Sequence, residues 1–143
     1  MAGRTIILQC GGRKDEAPAN AAGLQPGMLA ELNAAGELIP HGTADGFGSP
    51  KIIIEDALRG RTVDTVYETA EEQVPFIHPH GEGKLNLLCK EGSNYPTGTK
   101  LASAGDGEFR AAGAGTKQVF ATVRVGADLT GAGDATLLEC DIN

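Results

Sequence analysis

GTKLASAGDGEFR, residues Gly98 to Arg110, is the stretch on which the fold turns. It carries three glycines, and its charged Asp106-Gly107-Glu108 turn separates two apolar pairs. A phosphate-binding loop needs backbone N–H groups that converge on the anion at a helix N-terminus, commonly followed by Lys and then Ser or Thr. Here Asp106 and Glu108 put negative charge where the phosphate would sit, and Ala111 to Gly115 is too rich in glycine to propagate a helix. A β corner suits these residues better. Gly98 closes a turn, Lys100-Leu101 begin a strand, Gly105-Asp106-Gly107 supply positive φ for a tight reversal, and Glu108-Phe109-Arg110 return.

The surrounding sequence has the same texture. Met28 to Leu32 and Glu37 to Pro40 are short apolar runs around an Asn33-Ala34-Ala35-Gly36 turn, which reads as a hairpin. Lys51-Ile52-Ile53-Ile54-Glu55 holds three β-branched residues in a row, the pattern of a strand buried on both faces. Asp56 to Arg61 fits a single helical turn or a loop, and Arg61 to Tyr67 alternates imperfectly. Val74 to His78 reads as a strand whose Pro75 restricts it to an edge or a strand start. Lys84 to Cys89, Gln118 to Val125 and Thr136 to Ile142 complete the series. The expectation is about nine short strands, turn signals about every 8 to 12 residues and little helix, which is a small β-barrel or sandwich.

Residues 1 to 23 differ from the rest. Thr5-Ile6-Ile7-Leu8 is β-prone, Cys10-Gly11-Gly12 breaks it, and Arg13 to Ala22 is polar with Ala and Pro. We read residues 1–23 as an extended N-terminal arm and residues 24–143 as a β-rich domain. The apolar quartet Thr5, Ile6, Ile7 and Leu8 is the candidate contact with a neighbouring subunit or surface.

Composition narrows the function. Glycine accounts for 21 of 143 residues, aromatics for 4%, and there is no Trp. Such a turn-rich chain is expected to draw part of its stability from partners. A net charge of −7 with no cationic cluster argues against nucleic acid and against an anionic membrane surface. Three widely spaced cysteines, Cys10, Cys89 and Cys140, read as reduced thiols. No secretory signal and no bilayer-spanning run are evident, so a soluble, cytoplasmically made protein is expected.

Two further motifs invite chemistry. Asp128 to Asp134, DLTGAGD, resembles the anion hole and catalytic base of ribokinase-type sugar kinases. The Thr136 to Ile142 segment that follows reads as a strand, so a glycine loop joining the last two strands is expected instead. His78 and His80, two apart, would face one way on a strand and with Glu82 offer three metal ligands. Pro79, Gly81 and Gly83 soften that geometry, and a surface loop without metal or other cofactor is expected. No serine sits on a nucleophile elbow, so no enzyme activity is expected.

One order of segments resembles a known family. Pro26 to Leu32 opens the domain, Lys51 to Asp56 follows, and then comes the Gly-x-Thr-x-Asp-x-x-Tyr segment Gly60 to Tyr67. Leu87 to Gly92 precedes the corner Gly98 to Phe109, and a final hairpin ends the series. This order is similar to that of the capsid decoration, or cement, proteins of tailed double-stranded DNA phages, over roughly residues 24 to 142. The resemblance implies a β-tulip-like domain with an N-terminal arm. It also implies a homotrimer bound to the major capsid protein at three-fold or quasi-three-fold positions outside an HK97-type shell, with no direct contact to DNA. On that reading, removing residues 1 to 22 weakens capsid binding and leaves the domain folded. The alternative is a hammerhead- or lipoyl-like carrier barrel, which presents a Lys at its hairpin tip; no Lys occupies the Gly105-Asp106-Gly107 tip.

Overall fold

The computed structural model describes residues 5–20, 22–68 and 72–142, with the side chains of all but residues 81 and 82. Among these residues the chain is nearly all β, as expected: its one helical element is the 3-10 turn Ala57–Arg59. The strands are β1 (Ile7–Pro18), β2 (Ala30–Leu32), β3 (Leu38–Pro40), β4 (Ile52–Ile53), β5 (Gln73–Cys89), β6 (Asn94–Tyr95), β7 (Lys100–Ser103), β8 (Phe109–Ala111), β9 (Ala121–Val123), β10 (Ala127–Asp128) and β11 (Thr136–Ile142).

Five of them close into a barrel. β5, β11, β9, β7 and β8 pair in that order, and a parallel contact between Cys89 and Phe109 joins β8 back to β5. Residues directly opposite each other share a sheet face. Register therefore traces one face around the ring: Leu85 and Leu87 meet Cys140 and Leu138, Cys140 meets Val123, Ala121 meets Leu101, and Ser103 meets Phe109. All nine are buried, so this face is the barrel interior. Closure leaves those strands with no open edge at the ring.

The segment before β2 joins the edge of β5 next to β1 and reaches over Leu137. Gly27 donates to the Ile53 carbonyl at 2.8 Å and accepts from Leu88 N–H at 3.0 Å. A Cβ on Gly27 would lie 2.5 Å from Leu137 Cδ2 and 3.1 Å from the Leu88 nitrogen, so glycine permits this approach. β4 lies between β5 and residues 28–30, with Ile52, Ile53 and Ile54 all buried, as three consecutive β-branched residues predict. Tyr67 is fully buried and ties this layer together. Its hydroxyl donates to the Ile54 carbonyl at 2.8 Å, and its backbone exchanges hydrogen bonds with Leu24 and Gly23. Burial first, then the nearby Asp56 carboxylate, pushes its phenol up to about 12.

β5 departs from the sequence reading. The expected strands Val74 to His78 and Lys84 to Cys89 are one continuous strand of 17 residues. Residues 83–89 pair with β11 in the barrel, while residues 73–80 pair with β1 on one side, and Phe76 and Ile77 pair with β4 on the other. The two prolines are tolerated because of the way their backbone faces. Ile54 N–H donates to the Pro75 carbonyl at 3.1 Å, so Pro75 turns its polar groups toward β4. By the period of two, Pro79 does the same beyond the end of β4, and neither removes a hydrogen bond from β1. Gly83 lets β1 come close, since a Cβ there would lie 2.7 Å from Cys10 Sγ.

Within the expected arm, residues 7–18 are a paired strand in this structure. β1 runs antiparallel to β5 from Ile7↔Leu85 to Pro18↔Gln73, with bulges around Gln9. Ile6, Ala17 and Ala19 are buried in the core. Deleting residues 1–22 would strip a strand and three core side chains, so that deletion is expected to cost the domain stability as well as contacts.

Candidate functional site

The glycine corner forms as read. β7 and β8 pair antiparallel, Ser103 opposite Phe109, with Gly105 at φ +89° and Gly107 at φ +86°. Space as well as φ demands Gly107: a Cβ there would lie 3.0 Å from Pro40 Cβ and 3.3 Å from Met28 Sδ. At the tip, Asp106 Oδ1 accepts the Glu108 N–H at 3.1 Å, and Lys90 Nζ lies 2.6 Å from Asp106 Oδ2 and 3.6 Å from Glu108. Burial works to raise the Asp106 carboxyl, but hydrogen bonds from Lys90 and the Glu108 N–H outweigh it and leave it lowered. Glu108 is raised, by burial and then by Asp106. The N–H group an anion would need is thus spent on the corner's own acid, and a carboxylate occupies the tip where a carrier protein presents lysine.

The DLTGAGD stretch also lacks a helix. Asp128 Oδ1 accepts both the N–H and the hydroxyl of Thr130, at 3.0 and 2.7 Å, and β11 begins at Thr136. The loop links β9 to β11, which pair antiparallel, with the short β10 diverted to β6.

His78 and His80 lie within β5, not in the surface loop expected for them. Gly81 and Gly83 lie between His80, which pairs with Gly11, and Lys84, which pairs with Gln9, and β5 runs on through them across a register shift of β1. His78 Nε2 faces Arg13 Nη2 at 3.3 Å, where it can only accept, so that contact uses the neutral ring. Burial first, then Arg13 and Lys51, lowers its basicity. The Glu82 side chain lies outside the described residues. Among those described, no three His, Cys, Asp or Glu side chains gather as a metal site. All three cysteines are free, and the Cys89 thiol is pushed up by its hydrogen bond to Cys140 and by burial.

A serine–histidine pair that sequence reasoning did not find lies at the barrel end. His41 Nδ1 is 2.6 Å from Ser103 Oγ, and its Nε2 is 3.0 Å from the Phe47 carbonyl. The carbonyl can only accept, so Nε2 donates to it, and in the neutral ring Nδ1 accepts a hydrogen bond from the Ser103 hydroxyl. Ser103 Oγ in turn accepts from Gly105 N–H at 3.2 Å. These are hydrolase partners in kind, but His41 is 2% exposed and Ser103 0%, so no substrate carbonyl reaches the hydroxyl in this structure. The pair joins the loop after β3 to β7. The two residues are 62 apart, and no local pattern links them.

That same loop is braced from its other side. Asp45, in the left-handed region at φ +56°, accepts from Thr116 Oγ1 at 2.9 Å and pairs with Arg110. Gln118 and Gly48 exchange two hydrogen bonds at 2.9 and 3.0 Å. Phe47, 70% exposed, is held out between these anchors.

Of the candidate contact residues, Thr5 bonds Glu55 through its hydroxyl and gives its carbonyl to Asn86 Nδ2 at 2.7 Å. Ile6 is wholly buried, Ile7 is partly buried against the core, and Leu8 is 41% exposed. The structure brings Leu8 together with Val125, also exposed, over a shallow groove of about 330 Å³ that Ala127, Leu137 and Leu138 line. An exposed apolar groove is the kind of surface that another protein covers. Among the described residues no helix is long and apolar enough to cross a membrane.

No family model matches the chain, and no curated protein does. Among solved structures, the chain is similar to the head fiber gp8.5 N base in bacteriophage phi29, with a TM-score of 0.56 and 12% sequence identity. The match covers 93% of this chain and 95% of that one, so the likeness extends over nearly the whole of both chains.

Proposed function

We propose that this chain is a structural protein of a phage head, bound to the outer surface of an HK97-type capsid, which it stabilises. The observation that carries the reading is the fold shared along nearly its whole length with a head fiber base. The order of sequence segments points independently to capsid decoration proteins. The chemistry agrees: the glycine corner spends its N–H group internally, and the serine–histidine pair is enclosed.

On this reading the partners are the major capsid protein and two further copies of the chain, set at three-fold or quasi-three-fold positions. Three modest contacts on one trimer act together through high effective concentration. The body beyond residue 23 supplies the main docking surface. In the N-terminal quartet the exposed Leu8 adds the contact to a neighbour, while Thr5, Ile6 and Ile7 hold β1 in place.

Co-sedimentation with bare, expanded heads tests the proposal. Saturable binding outside the shell supports it, and protein that stays in the supernatant at micromolar concentration refutes it. Light scattering tests the trimer separately, against three times the 14.7 kDa chain mass.

A further inference from the structure

β1 is a strand with one side unused. It lies at the end of the sheet, and among the described residues no strand pairs with its outer edge over residues 7–16; β3 meets that side only just past the strand, where Leu38 bridges Ala19 and accepts from Asn20 N–H at 3.0 Å. Because Pro75 turns its polar groups toward β4, its partner Glu16 turns its own away from β5. The period of two carries this to Lys14 and Gly12. The N–H and C=O groups of residues 12, 14 and 16 therefore point outward, with the Glu16 N–H held meanwhile by the Asp15 carboxylate at 2.8 Å. Residues 11 to 16 are all exposed.

The charges along this edge have an order. Arg13 and Lys14 come first, Asp15 and Glu16 second. A second copy running antiparallel lays its acids along the first copy's bases. We propose that β1 pairs with β1 of a second copy about a two-fold axis at Lys14.

The outward groups fix the register, since hydrogen-bonded rungs must join residues that both face out. Lys14 then meets Lys14 of the other copy, and Gly12 meets Glu16 on either side. Arg13 meets Asp15 of the other copy twice. Each Lys14 also has a Glu16 one rung away on the diagonal, which offsets the central repulsion. Within one chain, Arg13 and Asp15 hold only a loose contact of 3.8 Å, with side chains 73% and 50% exposed, so little is given up. A long exposed edge is a template for strand addition. Here the charge order selects the chain's own antiparallel copy. The pairing does not depend on the proposed capsid role. If that role holds, the same contact links neighbouring trimers across two-fold axes of the shell.

Cysteine crosslinking tests this on the free full-length chain. Cys10 is first replaced by Ser, and Lys14→Cys is compared with Lys117→Cys, another exposed lysine outside β1. Disulfide dimer is expected to form at least about tenfold faster at position 14, through its raised local concentration. Adding Asp15→Arg sets like charges opposite each other and should slow the reaction to the Lys117→Cys rate. The swap Arg13→Asp with Asp15→Arg should restore it. Unchanged far-UV circular dichroism controls for folding. Equal rates at positions 14 and 117, or indifference to Asp15→Arg, would overturn the proposal. So would Lys14→Cys on decorated heads joining the capsid protein and not another copy. None of these results decides whether the chain binds heads, which co-sedimentation reads on its own.

Discussion

At single residues, backbone conformation and close packing act together. Gly107 combines positive φ with a Cβ direction that points into Pro40 and Met28. Gly107→Ala is expected to cost about 1–2 kcal/mol from the left-handed backbone alone, and more from the contact with Pro40. Urea denaturation measures it, and a loss below a few tenths of a kcal/mol would contradict this account of the corner. Asp45 makes a different prediction. The Thr116 hydroxyl first, then Arg110, holds its carboxyl below the usual range. A lowered carboxyl in the folded state contributes stability above its unfolded value, near about pH 4. That stability is lost as pH falls through the lower folded value. Asp45→Asn keeps a residue that tolerates the left-handed region. Below pH 4 the variant should lose stability less steeply than the parent protein in pH-dependent melts; parallel curves would show that the Asp45 network contributes nothing.

Among the elements, β1 and β5 carry the lesson about what can be read in advance. Ile6→Ala should cost about 2–5 kcal/mol, because Ile6 is wholly buried and its loss leaves a cavity. Leu8→Ala, at a half-exposed site, should fall within about 0.5 kcal/mol. Similar costs for the two would mean that β1 is not anchored as described. The β7–β8 corner, the β2–β3 hairpin and β11 were legible because turn glycines and alternation are local signals. β1 was not. Its residues Gly11 to Glu16 are exposed, so they carry no apolar alternation, and the strand exists because β5 pairs with it from far along the chain. β5 reads as two strands in the sequence because Pro79, Gly81 and Gly83 soften the stretch between His78 and Lys84. Which way the proline backbones face depends on β4, and a sequence does not display that. The His41–Ser103 pair was illegible for the same reason, since it depends on barrel closure.

Over the whole molecule, the closed ring of β5, β11, β9, β7 and β8 makes a small body with few aromatic residues. Its exposed apolar side chains include Leu32, Leu58 and Phe47 on a braced loop, together with Leu8 and Val125 at the groove. If the groove is a docking surface, Val125→Asp should weaken head binding at least about tenfold, as burying an unpaired charge does, while the melting temperature stays near that of the parent. Unchanged binding would move the docking surface elsewhere on the body.

The central claim is that this barrel sits on the outside of a phage head. Cryo-electron microscopy of bare expanded heads, imaged with and without the purified chain, tests it most directly. The account predicts added density on the outer surface at three-fold or quasi-three-fold positions, with a barrel that fits this structure. Reconstructions without such density, or with it only inside the shell or at the tail vertex, would contradict it.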